Sequence, residues 1–403
     1  MSTDTASDIG DWVRTLRKKQ DIGASTLSGL VGFGRDRLAE IESGEEVPTF
    51  EELDRLSTAL GADLVGFDPE IHDSPESRRQ ITTLLKSQTD SIPTKYLRPI
   101  AKTAELAHDI VELEQWREKP SRFEHIRERF RDIHPPEDAP DWQEGKQFAE
   151  RVREEMGLGG DPIESMYGLC ERMGIPVIET SLPIQLSAMA LADEYYGPTI
   201  IVNLNERNER LLPRRFTLAH EICHIVFDRY SMNELRRFDR VVGVFEEQSK
   251  DSQERRADAF AIHLLCPEEP FKQAWEDSRD MEGGDAWRVR HLMEQFGASF
   301  TATKSHLANL GIIDKARMPK ITPPDIETPR RFRKAERTQA TARGEAFQVL
   351  DPERQGRLAE QAILAFDEGV IGRSKALEVL GIDGPTFDEH IEGWLGRITA
   401  SHS

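Results

Sequence analysis

One run, RRFTLAHEICHIVFD at residues 214–228, constrains the chain more than any other. It holds His220-Glu221-Ile222-Cys223-His224. On a helix, residues four apart share a face, so His220 and His224 can present two imidazoles to a single metal ion. Glu221, beside the first imidazole, is placed to reach a water on that ion and act as a general base. The flanks Phe216, Leu218, Ile222, Ile225, Val226 and Phe227 predict a buried helix. Ionisable groups set into such a helix are costly unless they are paired or metal-bound.

A catalytic zinc site usually takes three protein ligands and keeps the fourth position for water. Candidates for the third ligand follow the first motif: Glu246, Glu247, Glu254 and His263. The segment SQERRADAFAIHLLCP reads as a second amphipathic helix, with Ala257, Phe260, Ala261, Leu264 and Leu265 as its apolar stripe. Glu254 begins this helix beside the stripe and is the favoured ligand. Asp258, one turn on, is placed to accept the free ring N–H of a ligating histidine. Glu246 and Glu247 fall in a less patterned, solvent-facing stretch, and His263 reads as a packing or exposed residue. Two histidines and one carboxylate suit one Zn2+ per chain, and would also accept manganese or iron.

The rest of the sequence bounds the class. The 403 residues carry 53 Lys and Arg against 73 Asp and Glu, a net charge of −20, which argues against bulk electrostatic coating of nucleic acid or membranes but allows a small basic face. No apolar run approaches the ~18–20 residues of a membrane span, and MSTDTASDIGDW has no secretory pattern. Cys170, Cys223 and Cys266 are too few for a disulfide framework. The expectation is a soluble cytoplasmic protein without membrane contact. Cys223 reads as a small buried apolar residue rather than an oxidation-sensitive thiol.

Polar and proline-rich breaks divide the chain into residues 1–67, a charged helical linker region at 68–142, a mixed region at 143–316, a linker at 317–343 and a helical tail at 344–403. Strands are expected at IPVIET and PTIIVN, giving a mainly α chain with a small β-sheet, of the α+β class. The first segment reads as five short helices, with a turn at Gly32-Phe33-Gly34 before RDRLAEIESGE. The basic run Arg330–Lys334 reads as a solvated part of its linker.

These motifs resemble two families. RRFTLAHEICHIVFD, followed by ERRADAFAIHLLCP, resembles the ImmA/IrrE family of zinc metallopeptidases, and the likeness extends over about Gln143 to Asp314. It implies a gluzincin-like domain with His220, His224 and Glu254 as zinc ligands and Glu221 as the catalytic base. It also implies a repressor or antitoxin-like protein as substrate, and an edge strand over Thr199 to Asn203 that pairs with the extended peptide. Cys223 departs from the family's usual small or polar residue. Tyr195, Tyr196 and Tyr230 are the candidates for stabilising the oxyanion.

Residues 9–64 resemble the XRE/Cro-type helix-turn-helix domain, which implies double-stranded DNA as a partner. Arg35 and Arg37 would then face bases or phosphates, and Arg14, Arg17, Lys18 and Lys19 would grip the backbone. Residues 1–66 hold only seven basic side chains against thirteen acidic ones, and Ala24 stands where the family often has a DNA-contacting Gln. A protein-interaction module is the competing reading of this segment. The tail resembles the helical tails of fused proteins of this kind, a unit for docking, homodimer contact or capping. The competing reading of the whole chain is a non-proteolytic DNA-binding regulator or antitoxin with a structural or sensory metal domain; an intact Glu221 favours the enzyme.

Overall fold

A computed structural model describes residues 3–19, 22–46, 48–49, 97–131, 139–181, 186–193, 195–227, 235–240, 252–324 and 347–401, with single positions between 52 and 60 and between 332 and 336. The chain divides into two compact units, residues 1–108 with 182–184, and residues 109–181 with 185–403.

The first unit opens with helices α1 (Thr3–Lys19), α2 (Ala24–Val31) and α3 (Arg35–Ser43). Gly32, with φ of 69°, ends α2 in the left-handed region that side chains avoid, and Gly34 caps the start of α3. Val13, Leu27, Val31, Leu38 and Ile41 fill the core. α1 starts well before the DWVRTLRKKQ segment, because Ile9 and Gly10 are also buried. A Cβ on Gly10 would lie 2.3 Å from the Ile41 carbonyl, so glycine is what lets α1 lie against α3. Helix α4 (Leu97–Trp116) crosses the boundary between the units.

The second unit continues with α5 (Arg122–Arg129), α6 (Asp141–Glu155) and α7 (Met166–Met173), then strands β1 (Val177–Thr180), β2 (Leu186–Asp193) and β3 (Gly197–Asn203). Next come α8 (Leu211–Phe227), β4 (Leu235–Arg240), α9 (Ser252–Leu265), α10 (Glu268–Asp277), α11 (Gly284–Phe296) and α12 (Phe300–Asn309). Three closing helices follow, α13 (Arg357–Asp367), α14 (Arg373–Leu380) and α15 (Gly384–Ser401). The architecture is mainly α with one small sheet.

The sheet order is β1-β3-β2-β4, with β1 parallel to β3 and the other pairs antiparallel. The expected edge strand is therefore corrected: β3 lies inside the sheet, with Ile200 opposite Val177 on one side and Ala190 on the other. Its main-chain donors and acceptors are already used by its neighbours. All seven residues of β3 are buried.

The main core gathers around α8. Phe148 of α6 stacks on Phe227 with ring centroids 3.8 Å apart, and Phe260 of α9 meets Phe227 edge-on at 5.7 Å. Phe123, Ile126 and Phe130, from the charged region before residue 142, lie in this same core. Full burial of a large apolar side chain is worth ~1.5–3 kcal/mol. Six such residues on α8 therefore hold its axis by packing and leave its polar face to chemistry. The segment read as a solvated linker also differs from expectation. Phe332 is fully buried and Glu336 is 4% exposed, because each fits a prepared place beside Arg215. Among the described residues, no helix is long and apolar enough to cross a membrane.

Candidate metal centre

α8 carries His220 and His224 one turn apart, and both are buried. Their Nε2 atoms face each other at 3.0 Å. Glu254, in the first turn of α9, reaches both: one carboxylate oxygen is 3.4 Å from His220 Nε2 and the other is 3.6 Å from His224 Nε2. The donor atoms of the three residues all lie within 4.8 Å of one another. A tetrahedral ion with bonds of ~2.0–2.1 Å holds its donors ~3.3–3.4 Å apart, so these spacings match what such an ion requires. Asp258 accepts a hydrogen bond from His220 Nδ1 at 3.1 Å, which leaves Nε2 as the ring's donor atom toward the centre. Glu221 has no exposed surface and sits between the two histidines in sequence on the same helix.

α9 is brought into place by α6. Gly145 of α6 lies so near α9 that a Cβ would come within 2.2 Å of the Arg256 carbonyl. Ion pairs flank this contact, Arg255 to Asp141 at 2.6 Å and Arg256 to Glu144 at 3.1 Å. The approach therefore fixes the start of α9, where Glu254 stands.

Residues 170–307 match the family described as the IrrE N-terminal-like domain of peptidases, and residues 8–68 match a helix-turn-helix domain family. The chain joins a helix-turn-helix domain to an IrrE N-terminal-like domain. No curated protein and no solved structure matches it significantly. The matched residues run from within α7 to within α12, and so include all three clustered donors.

The other singled-out residues have distinct places. His263 lies away from the cluster, buried with its ring centroid 4.8 Å from that of His306. Tyr195 and Tyr196 stand together in the turn between β2 and β3, their rings edge-to-face at 4.6 Å. Tyr230, Glu246 and Glu247 lie outside the described residues. Cys223 is fully buried, as are Cys170 and Cys266.

In the helix-turn-helix domain, Arg17 is held inside its own unit, with Nε 2.5 Å and Nη2 2.7 Å from the two Glu42 oxygens and Nη1 2.9 Å from the Ile22 carbonyl. Arg37 makes a two-pronged pair with Glu52, both contacts at 2.8 Å. That guanidinium, together with the Thr49 N–H, lowers the Glu52 carboxyl to about 2. Arg14 is paired with Asp11, Lys18 is exposed, and the side chains of Lys19 and Arg35 lie outside the described residues.

The His263–His306 pair gives the second unit a pH dependence. Burial pushes His263 down to about 4, helped by Lys146 and opposed by Glu268. Burial, then the neighbouring His263, pushes His306 down to about 3, opposed by its hydrogen bond to the Cys266 carbonyl and by Glu268. Both rings are thus neutral in the fold, whereas the unfolded chain binds their protons near ~6.5. Stability is full above that value and falls as pH drops toward 4 and then 3, because the unfolded state binds more protons in that window. Each ring contributes up to about 1.4 kcal/mol per pH unit. Urea midpoints of metal-free protein should fall between pH ~7 and ~5, and His306→Gln should flatten the profile.

Proposed function

We propose that the chain is a cytoplasmic regulatory zinc metalloendopeptidase that cleaves a repressor or antitoxin-like protein. The helix-turn-helix domain positions it on double-stranded DNA or on that partner. The convergence of His220, His224 and Glu254 beside the buried Glu221 carries this reading. A structural metal site has no use for a general base on the ligand helix. When bound, zinc supplies Lewis acidity to the scissile carbonyl and to the attacking water. Glu221 takes the proton released by that water on its carboxylate and delivers it to the leaving amine. Asp258 keeps His220 in the tautomer whose Nε2 faces the centre.

The test compares new protein N-termini in cells expressing the wild-type chain or Glu221→Gln. The reading expects at least one cleaved regulatory protein with wild type and none with Glu221→Gln, a loss on the order of 10²–10⁴ in rate, while both proteins hold about one zinc. Equal fragments from both would remove proteolysis by this chain.

A further inference from the structure

Arg215, five residues before His220 on α8, has no exposed surface. Its guanidinium ties two other segments, at 163–164 and at Gly297, to the metal helix. Nη2 donates to the Ile163 carbonyl at 2.5 Å, Nη1 to the Glu164 carbonyl at 3.1 Å, and Nε to the Gly297 carbonyl at 3.1 Å. Gly297, with φ of +72°, also permits the approach sterically, since a Cβ there would lie 2.8 Å from Arg215 Nε. A guanidinium this deep needs a counter-charge, because burial alone pulls its pKa below the usual value.

That counter-charge comes from beyond the family-matched residues 170–307. Glu336 forms an ion pair with Arg215 Nη1, and Phe332 lies under the guanidinium with its ring centre 4.3 Å away. The same carboxylate accepts from Ser165 Oγ at 2.6 Å and from the Met166 N–H at 2.8 Å. It therefore also sits at the positive start of α7, where carboxylates are favoured. One acidic side chain thus closes α7, the loop before it and α8 together.

We propose that Phe332 and Glu336 are positioning residues of the metal centre, with Glu336 holding Arg215 and Arg215 setting where α8 presents His220 and His224 to Glu254. This rests on the metal-binding part of the function proposed above.

The experiment measures zinc affinity by chelator competition and the absorption spectrum of the cobalt-loaded full chain, in wild type, Glu336→Gln and Phe332→Leu. The expected result is zinc binding weakened about tenfold or more in Glu336→Gln, as for other groups that orient ligands from behind, with an altered cobalt spectrum. Phe332→Leu should show a smaller change in the same direction. It also keeps the test alive if Glu336→Gln does not fold. A lower melting temperature with wild-type zinc affinity and cobalt spectrum, in whichever variant folds, would overturn the proposal. Failure of the wild-type chain to bind metal would instead remove the metal reading itself.

Discussion

Glu254→Ala is expected to lower zinc affinity by a factor on the order of 10³ or more, leaving the purified chain with far less than one ion, whereas Glu221→Gln keeps its metal. The difference follows from position. Glu254 is the only member of the cluster supplied by α9, and its two oxygens span both imidazoles. Without it the cluster among the described residues falls to two donors, His220 and His224, whose Nε2 atoms face each other at 3.0 Å. Zinc content by mass spectrometry after dialysis decides the matter. Full occupancy in Glu254→Ala would show that the third ligand is another residue, with Glu246 and Glu247 the next to replace.

Gly145→Ala should destabilise the second unit by about 2–3 kcal/mol, the reverse of what this change does in an open helix. In a helix interior, alanine is favoured over glycine by ~1 kcal/mol. Here the added methyl would meet the Arg256 carbonyl at 2.2 Å and the Ala259 Cβ at 2.8 Å, so one helix must move. Because α9 carries Glu254 two residues before Arg256, that movement should weaken zinc binding as well. Denaturant unfolding and chelator competition on one protein sample test both effects. A stabilised variant with unchanged affinity would show that α6 and α9 tolerate a wider spacing.

The clustering of His220, His224 and Glu254 was legible because its pattern is local. HEICH fixes two donors by helical period, and the stripe of Ala257, Phe260, Ala261 and Leu264 orients α9 with Glu254 at its start. β1 and β3 were legible from their β-branched runs. β2 was not: LSAMALAD is rich in residues that favour helices, and it becomes a strand because β3 and β4 pair with it on either side. The interior place of β3 was hidden for the same reason, since an unseen neighbour makes an inner strand look like an edge. Phe332 and Glu336 were hidden by their surroundings in sequence, prolines and arginines that read as solvent-facing chain. Their burial depends on Arg215, more than a hundred residues earlier, and no local period reports it. The pairing of Arg17 with Glu42 and of Arg37 with Glu52 is equally non-local, and no local period reports it.

The sealed cysteines turn the protein into its own reporter of opening. Cys170 lies on α7, Cys223 on the metal helix and Cys266 directly after α9, and each is fully buried. Burial also raises the thiol pKa of Cys170 and Cys266, so the reactive thiolate is suppressed along with access. An alkylating reagent can then react only with molecules in which these elements have parted. The labelling rate of each thiol, resolved by peptide mapping, becomes a clock for the local opening of the element that carries it.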